Sequence, residues 1–232
     1  MITIRKSDDR GHADHGWLDT RFTFSFADYY DEDHIQFRSL RVMNDDRVAG
    51  GGGFPMHPHR DMEILTYVLS GELEHQDTMG NRGVVRAGGV QFMSAGTGVR
   101  HSESNHLPND PLRLVQMWVM PGALGTAPSY GQKDFTVDDR RNRWLNVASG
   151  EQNVEAPIRL TQHATFRVAR LEATSLAHNF ADKRYGFLFV ADGSVEINGE
   201  HLNCGDAARV YDIARLDVSG TGELVFWDLP AA

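Results

Sequence analysis

The sequence predicts an all-β chain made of two β-domains of similar build, with few short helices. Three observations carry that reading. Apolar residues recur mostly with a period of two rather than 3.6. The apolar runs are short and end at Gly, Asn, Asp or Pro, as strands of a sandwich or barrel do. A strand–Gly–strand pattern in the first half of the chain also returns in the second.

In chain order, a short helix is expected near Phe26–Asp33, and Glu63-Ile-Leu-Thr-Tyr-Val-Leu69 is rich in β-branched and aromatic residues. Leu112-Arg-Leu-Val-Gln-Met-Trp-Val119 alternates a mixed face with an apolar one, and Phe187–Val190, Ser194–Ile197 and Glu223–Trp227 behave likewise. Twenty-three glycines suit tight turns, with Ser70-Gly71, Gly80-Asn81, Gly88-Gly89, Asp192-Gly193 and Asn198-Gly199 the clearest signals. Tyr67-Val-Leu-Ser-Gly71-Glu-Leu-Glu matches Leu188-Phe-Val-Ala-Asp-Gly193-Ser-Val-Glu, about 120 residues on, although any two hairpins share some of this likeness. The expected division is an N-terminal domain at 1–131, a polar linker region at 132–153 and a C-terminal domain at 154–232, with packing of N-terminal residues onto the C-terminal domain left open as a variant.

Composition excludes several classes. The 232 residues are 41% apolar, enough for a sizeable core, and 24% charged, which argues against wholesale disorder. No run reaches the roughly 18–20 apolar residues of a membrane helix, and the opening residues have no apolar stretch behind their basic ones, so no secretory signal is expected. With 23 basic and 32 acidic side chains the net charge is −9, a poor basis for direct nucleic-acid binding. Cys204 is the only cysteine; a disulfide within the chain is impossible, and a reducing, cytoplasmic setting fits.

The chemistry points to histidines. Seven of the eleven lie between His12 and His101 inclusive, and the notable pairs are His57-Pro-His59 and His101-Ser-Glu103. On a strand, residues i and i+2 share a face about 6.5 Å apart, so each pair presents two metal-competent groups to one side. On neighbouring strands the four would converge within reach of metal bonds of about 2.0–2.2 Å. Gly50–Gly53 and Gly96-Thr-Gly98, just before the pairs, would let the backbone bend there. A single strand histidine is more often a hydrogen-bonded polar residue than a ligand; two such pairs, each preceded by glycines, favour the metal. No phosphate loop, nucleophile elbow, His-Glu-x-x-His or Cys-x-x-Cys motif is present.

These residues carry a family resemblance. Gly51-(x5)-His57-Pro-His59-(x3)-Glu63-(x7)-Gly71 resembles the first motif of the cupin superfamily, with one extra residue before the last Gly. Gly96-x-Gly98-x-x-His101-(x3)-Asn105 resembles the second, with Gly96 where cupins commonly carry Pro. His57-Pro-His-Arg-Asp-Met-Glu-Ile-Leu-Thr-Tyr-Val and Ser94-Ala-Gly-Thr-Gly-Val-Arg-His-Ser-Glu are similar to the pirin family of bicupins, and Arg10–Asp19 and Phe226–Pro230 to its bacterial, quercetinase-type members.

The resemblance implies two cupin barrels (double-stranded β-helix, or jelly-roll) and one divalent transition metal held by His57, His59, His101 and Glu103. Fe(II) is the family expectation; Ni, Co, Mn, Cu and Zn suit the same ligands. Glu63, a ligand in many other cupins, is expected here as polar support. Aligning Gly193 with Gly71 puts Asn179 and Ala181 in the places of His57 and His59, and aligning Gly205 with Gly88 or Gly89 puts Asp217 or Val218 near the place of His101, so the C-terminal barrel is expected to hold no metal.

The implied activity is a quercetin 2,3-dioxygenase-like opening of a flavonol's heterocycle by O2, with release of carbon monoxide, the substrate 3-hydroxyl on the metal and Glu103 as base. Substrate-binding residues are not determined; Phe54, Met56, Phe92, Met93, Met117 and Trp118 are apolar candidates, most of them equally suited to core, and Gln116 is a polar one. The rival is a metal- or redox-responsive regulator that binds a protein partner with little turnover. A third reading is a cupin enzyme acting on another oxygen-rich small molecule. His75 and His106 sit in turn or loop contexts and, like His178 and Cys204, are expected to bind nothing; His12, His15 and His34 have no assigned role.

Overall fold

A computed structural model describes residues 1–231. Its strands are β1 (Ile2–Arg5), β2 (Gly11–Asp14), β3 (Leu18–Phe22), β4 (Leu40–Val48), β5 (Gly53–His59), β6 (Glu63–Ser70), β7 (Glu72–Asp77), β8 (Arg82–Arg86), β9 (Val90–Ser94), β10 (Val99–Asn105), β11 (Leu112–Val119) and β12 (Ser129–Lys133). Helix α1 (Val137–Arg140) is followed by β13 (Leu145–Ser149), β14 (Ile158–Arg159), β15 (Thr165–Asn179), β16 (Arg184–Ile197), β17 (Glu200–Asn203), β18 (Ala207–Val210) and β19 (Arg215–Pro230). The chain is all-β, as its period-two patterning predicts, and divides into two compact units.

The first unit holds Gly11–Gln36 and Leu40–Phe135. A seven-stranded sheet in the order β12-β9-β6-β11-β4-β3-β2 faces a four-stranded sheet in the order β5-β10-β7-β8, and neighbouring strands in both are antiparallel. Strands β6 and β11 are central and buried on both faces, hence their nearly continuous apolar runs. Leu18, Val48, Val68, Leu112 and Leu114 from the larger sheet meet Leu73 and Val85 from the smaller in one buried cluster. Each such side chain contributes roughly 1.5–3 kcal/mol by leaving water, so this cluster holds the two sheets face to face.

The second unit comprises Met1–Arg10, Phe37–Ser39 and the chain from Thr136 onward. Its sheet runs β1-β18-β16-β19-β15-β13-β14, with β17 paired to β16. Strands β15, β16 and β19 are long and bend at bulges, between Leu171 and Thr174 and between Val190 and Asp192, to wrap a core that includes Leu188, Val190, Leu224 and Phe226.

Several local expectations change. No helix forms near Phe26–Asp33. Phe26 and Tyr29 exchange backbone hydrogen bonds, the Asp31 side chain accepts from the Asp33 N–H, and Arg41 donates to the Ser25 and Ile35 carbonyls, so polar side chains satisfy the backbone in turns instead. The stretch expected as a linker contains the end of β12, the short α1, capped by Thr136 and Asp139, and β13, which pairs with β15. Residues 1–10 belong to the second unit through the pairing of β1 with β18. Asn198-Gly199 is a turn between β16 and β17 with positive φ at both residues, but Gly193 lies inside β16 opposite Gly222. A Cβ on Gly193 would strike the Thr221 carbonyl, so this glycine permits a kink in a continuous strand rather than ending it.

Gly53 starts β5 where a side chain has no room. A Cβ there would lie 2.6 Å from the Glu103 carbonyl oxygen and from Ser104 Cα on β10. Gly53→Val should therefore push β5 off β10 and destabilise the protein by about 1–3 kcal/mol, seen as a lower urea midpoint with an unchanged m-value.

Candidate metal centre

Strand pairing brings the two sequence motifs together. Strand β10 lies between β5 and β7; His101 is opposite His57 on one side and Asp77 on the other, and His59 is opposite Val99. A bulge in the β5–β10 ladder places Phe54, rather than Pro55, opposite Glu103. Because alternate residues share a face, His57 and His59 project to the side on which His101 and Glu103 project.

The result is a cluster of imidazoles. One ligand atom from each of His57, His59 and His101 lies within 4.8 Å of the others, and His75, His101 and Glu103 form a second trio by the same measure. Among the described residues both trios lie in the N-terminal unit. His57 Nδ1 donates to the Pro55 carbonyl at 2.7 Å, which leaves Nε2 as the nitrogen that faces the cluster. That atom is 3.1 Å from His101 Nε2. Two nitrogens bound at right angles to one ion, with bonds of about 2.1 Å, stand about 3.0 Å apart, so the spacing fits a shared divalent cation. Burial, reinforced by the charges His101 and His57 would carry, lowers His59 to about 4 despite the opposing pull of Glu103. Burial, with His57 and His75 adding to it, lowers His101 to about 3. Both rings are neutral at pH 7, the form that binds metal.

The larger sheet supplies the groups that hold Glu103. Gln91 on β9, Thr66 on β6, Gln116 on β11 and Asn44 on β4 are cross-strand neighbours in one row. Gln91 Nε2 and Thr66 Oγ1 donate to Glu103 Oε1 at 2.6 and 3.3 Å, and Gln116 Nε2 donates to Oε2 at 2.7 Å. Trp118 Nε1 in turn donates to Gln116 Oε1 at 3.1 Å. Glu103 is 2% exposed, and these donors satisfy both of its oxygens where water cannot. Glu63, on β6 opposite Ser94, is buried outside both trios.

A cavity of about 430 Å³ opens onto His57, His59 and Glu103, within the range of small-molecule sites. Trp17, Phe22, Phe26, Phe54 and Trp118 form its apolar walls, and Asn44, Asp46 and Gln116 are polar groups bordering it. Of the apolar candidates from the sequence, Phe54 and Trp118 line the cavity, whereas Phe92, Met93 and Met117 are buried in the core and Met56 is exposed. Sequence reading missed Trp17, Phe22 and Phe26; the alternation of Leu18, Thr20 and Phe22 along β3 was the available signal. His15 also borders the cavity, while His12 pairs with Asp19 and His34 with Asp31. His75, expected in a turn, lies fully buried on β7 with Asp77 beside it; His106 pairs with Glu74. In the C-terminal unit His178 is bonded to Asp228, and Asp217 to Arg215. Cys204 Sγ donates to the Ala191 carbonyl.

The pirin family model matches residues 3–119, and the model for the quercetinase C-terminal cupin domain matches residues 152–226. The chain belongs to the pirin family. It is 42% identical to a quercetin 2,3-dioxygenase of Escherichia coli over 234 residues, covering 99% of both chains. It is equally 42% identical to a pirin-like protein of Caulobacter vibrioides over 231 residues, 98% of this chain and 99% of that one. The crystal structure of the bacterial pirin YhhW from Escherichia coli in complex with nickel(II) superposes with a TM-score of 0.93 at 40% identity, covering 100% of each chain. This pirin is therefore a bicupin, and among its described residues no helix is long and apolar enough to cross a membrane.

Asp46 gives the cavity a pH signature. Burial pushes its carboxyl up from 3.8 to about 7, against the hydrogen bond from Thr20 and with further upward pressure from Asp45, Glu103 and Asp19. The folded state then binds more protons than the unfolded state between these values, so stability falls as pH rises through that window, by about 4 kcal/mol at most. Asp46→Asn should remove this dependence in the metal-free protein. Urea unfolding should show the variant's stability relative to wild type increasing from pH 4 to 7 and levelling off above.

Proposed function

We propose that this pirin is a metal-dependent dioxygenase that opens the heterocyclic ring of a flavonol such as quercetin. The observation that carries the reading is three imidazoles, two of them held neutral, gathered beside an aromatic-walled cavity with a buried carboxylate at its edge. His57, His59, His101 and Glu103 would hold the ion, which the family expectation makes Fe(II); the related nickel complex makes nickel(II) a second metal to load. When bound, the ion supplies Lewis acidity and open coordination positions for oxygen donors.

The remaining work falls to the chain. Trp17, Phe22, Phe26, Phe54 and Trp118 offer ring faces and edges to a flat aromatic substrate and keep bulk water away from it. Glu103 takes the proton of the substrate 3-hydroxyl, and its carboxylate is the cavity group best oriented to do so, because Gln91, Thr66 and Gln116 fix both oxygens. Asn44 and Asp46 supply polar contacts for the substrate's other hydroxyls. In this reading the C-terminal barrel holds no ion, His178 being committed to Asp228.

Aerobic assay of the iron- and nickel-loaded protein tests the proposal. Loss of flavonol absorbance with carbon monoxide release is expected, abolished by His101→Ala and slowed in kcat by roughly 10²–10⁴-fold in Glu103→Gln. Absence of turnover with every common divalent ion would overturn the enzyme reading in favour of a regulatory protein.

A further inference from the structure

Strand β7, the other neighbour of β10, carries a third pair at period-two spacing, His75-Gln-Asp77. In the β7–β10 ladder Asp77 is opposite His101 and His75 is opposite Glu103. His75 is fully buried and Asp77 is 5% exposed. Neither is among the residues bordering the cavity, so neither is placed to touch a substrate in it.

Hydrogen bonds give this pair a direction, read from its outer end. Asp77 Oδ1 accepts from the backbone N–H groups of Met79 and Asn81 at 2.9 and 3.0 Å, and Oδ2 accepts from Asn81 Nδ2 at 2.9 Å. Backbone N–H groups can only donate, so the side chain is held as an acceptor, and it accepts from His75 Nε2 at 3.1 Å. A neutral His75 with its proton on Nε2 presents a lone pair at Nδ1. That lone pair faces His101 Nδ1 at 3.4 Å. His101 therefore donates from Nδ1 and keeps its own lone pair on Nε2, the atom 3.1 Å from His57 Nε2. Tyr130 stacks on the His75 ring at 4.4 Å with an interplanar angle of 17°, which holds the plane of that ring.

We infer that Asp77 and His75 are positioning residues of the metal centre: the relay Asp77–His75–His101 sets the tautomer and ring orientation of His101 so that Nε2 stays an electron-pair donor toward a divalent ion. The inference rests on the metal-centre reading above. Partners of this kind typically alter metal affinity 10–100-fold without binding the ion themselves.

The test is nickel(II) affinity by competition with a chelator, together with the visible spectrum of the cobalt(II)-loaded protein. In Asp77→Asn the two backbone donors keep the amide oxygen at the Oδ1 place and turn the amide nitrogen toward His75. His75 must then accept at Nε2 and carry its proton on Nδ1, which forces the proton of His101 onto Nε2. Nickel affinity should fall 10–100-fold and the cobalt bands should shift, with the melting temperature close to wild type. His75→Phe keeps the stack on Tyr130 but removes the acceptor, and should weaken nickel binding likewise. His75→Gln, whose amide oxygen can accept from His101 Nδ1, should recover part of the loss. If Asp77→Asn does not fold, the contrast between the two His75 variants decides. Wild-type affinity in both Asp77→Asn and His75→Phe would overturn the relay. So would two nickel ions per wild-type chain falling to one in His75→Phe, which would make His75 a ligand. Nickel binding unaffected by His57→Ala, His59→Ala and His101→Ala would instead overturn the metal-centre reading itself, and the relay with it.

Discussion

The site depends on the register that sets His57 and His101 face to face. His57 Nε2 and His101 Nε2 stand 3.1 Å apart, and the hydrogen bond from His57 Nδ1 to the Pro55 carbonyl holds that ring with its other nitrogen toward His101. The register of β5 on β10 prevents the rings from separating, since His57 and His101 are directly opposed and Gly53 lets the two backbones close up. Burial adds to the effect by disfavouring protonation of His59 and His101, so a proton is a poor substitute for a metal cation.

The two sheets of the N-terminal unit divide the work. The four-stranded sheet carries the imidazoles and Glu103 on β5, β7 and β10. The seven-stranded sheet answers with the row Gln91, Thr66, Gln116 and Asn44, all buried polar side chains. Those residues are costly to bury unpaired, and the Glu103 carboxylate is what pairs Gln91, Thr66 and Gln116. The apolar cluster between the sheets therefore also fixes the distance across which these hydrogen bonds form.

Much of this was legible in the residue order. Period two gives strands, and His57-Pro-His59 and His101-Ser-Glu103 are chemically distinctive at that spacing. His75-Gln-Asp77 has the same spacing, but in the residue order His75 sits in a turn or loop context, and only the pairing of β7 with β10 sets it beside His101 and Glu103. Gln91, Thr66 and Gln116 gave little signal, since a single polar residue in an apolar strand acquires meaning only when its cross-strand neighbours are known. The region of Phe26–Asp33 forms turns rather than a helix because side-chain bonds to the backbone, invisible in an apolar pattern, decide it.

By itself the sequence determined the all-β class, the pirin resemblance and which side chains can share a strand face, because these follow from spacing along one strand. Only the tertiary structure decided which strands are neighbours, where the β5–β10 bulge falls, which aromatic rings wall the cavity and how His75 meets His101. Those are contacts between residues distant in the chain, and their geometry comes from hydrogen-bond register and from packing one sheet against another.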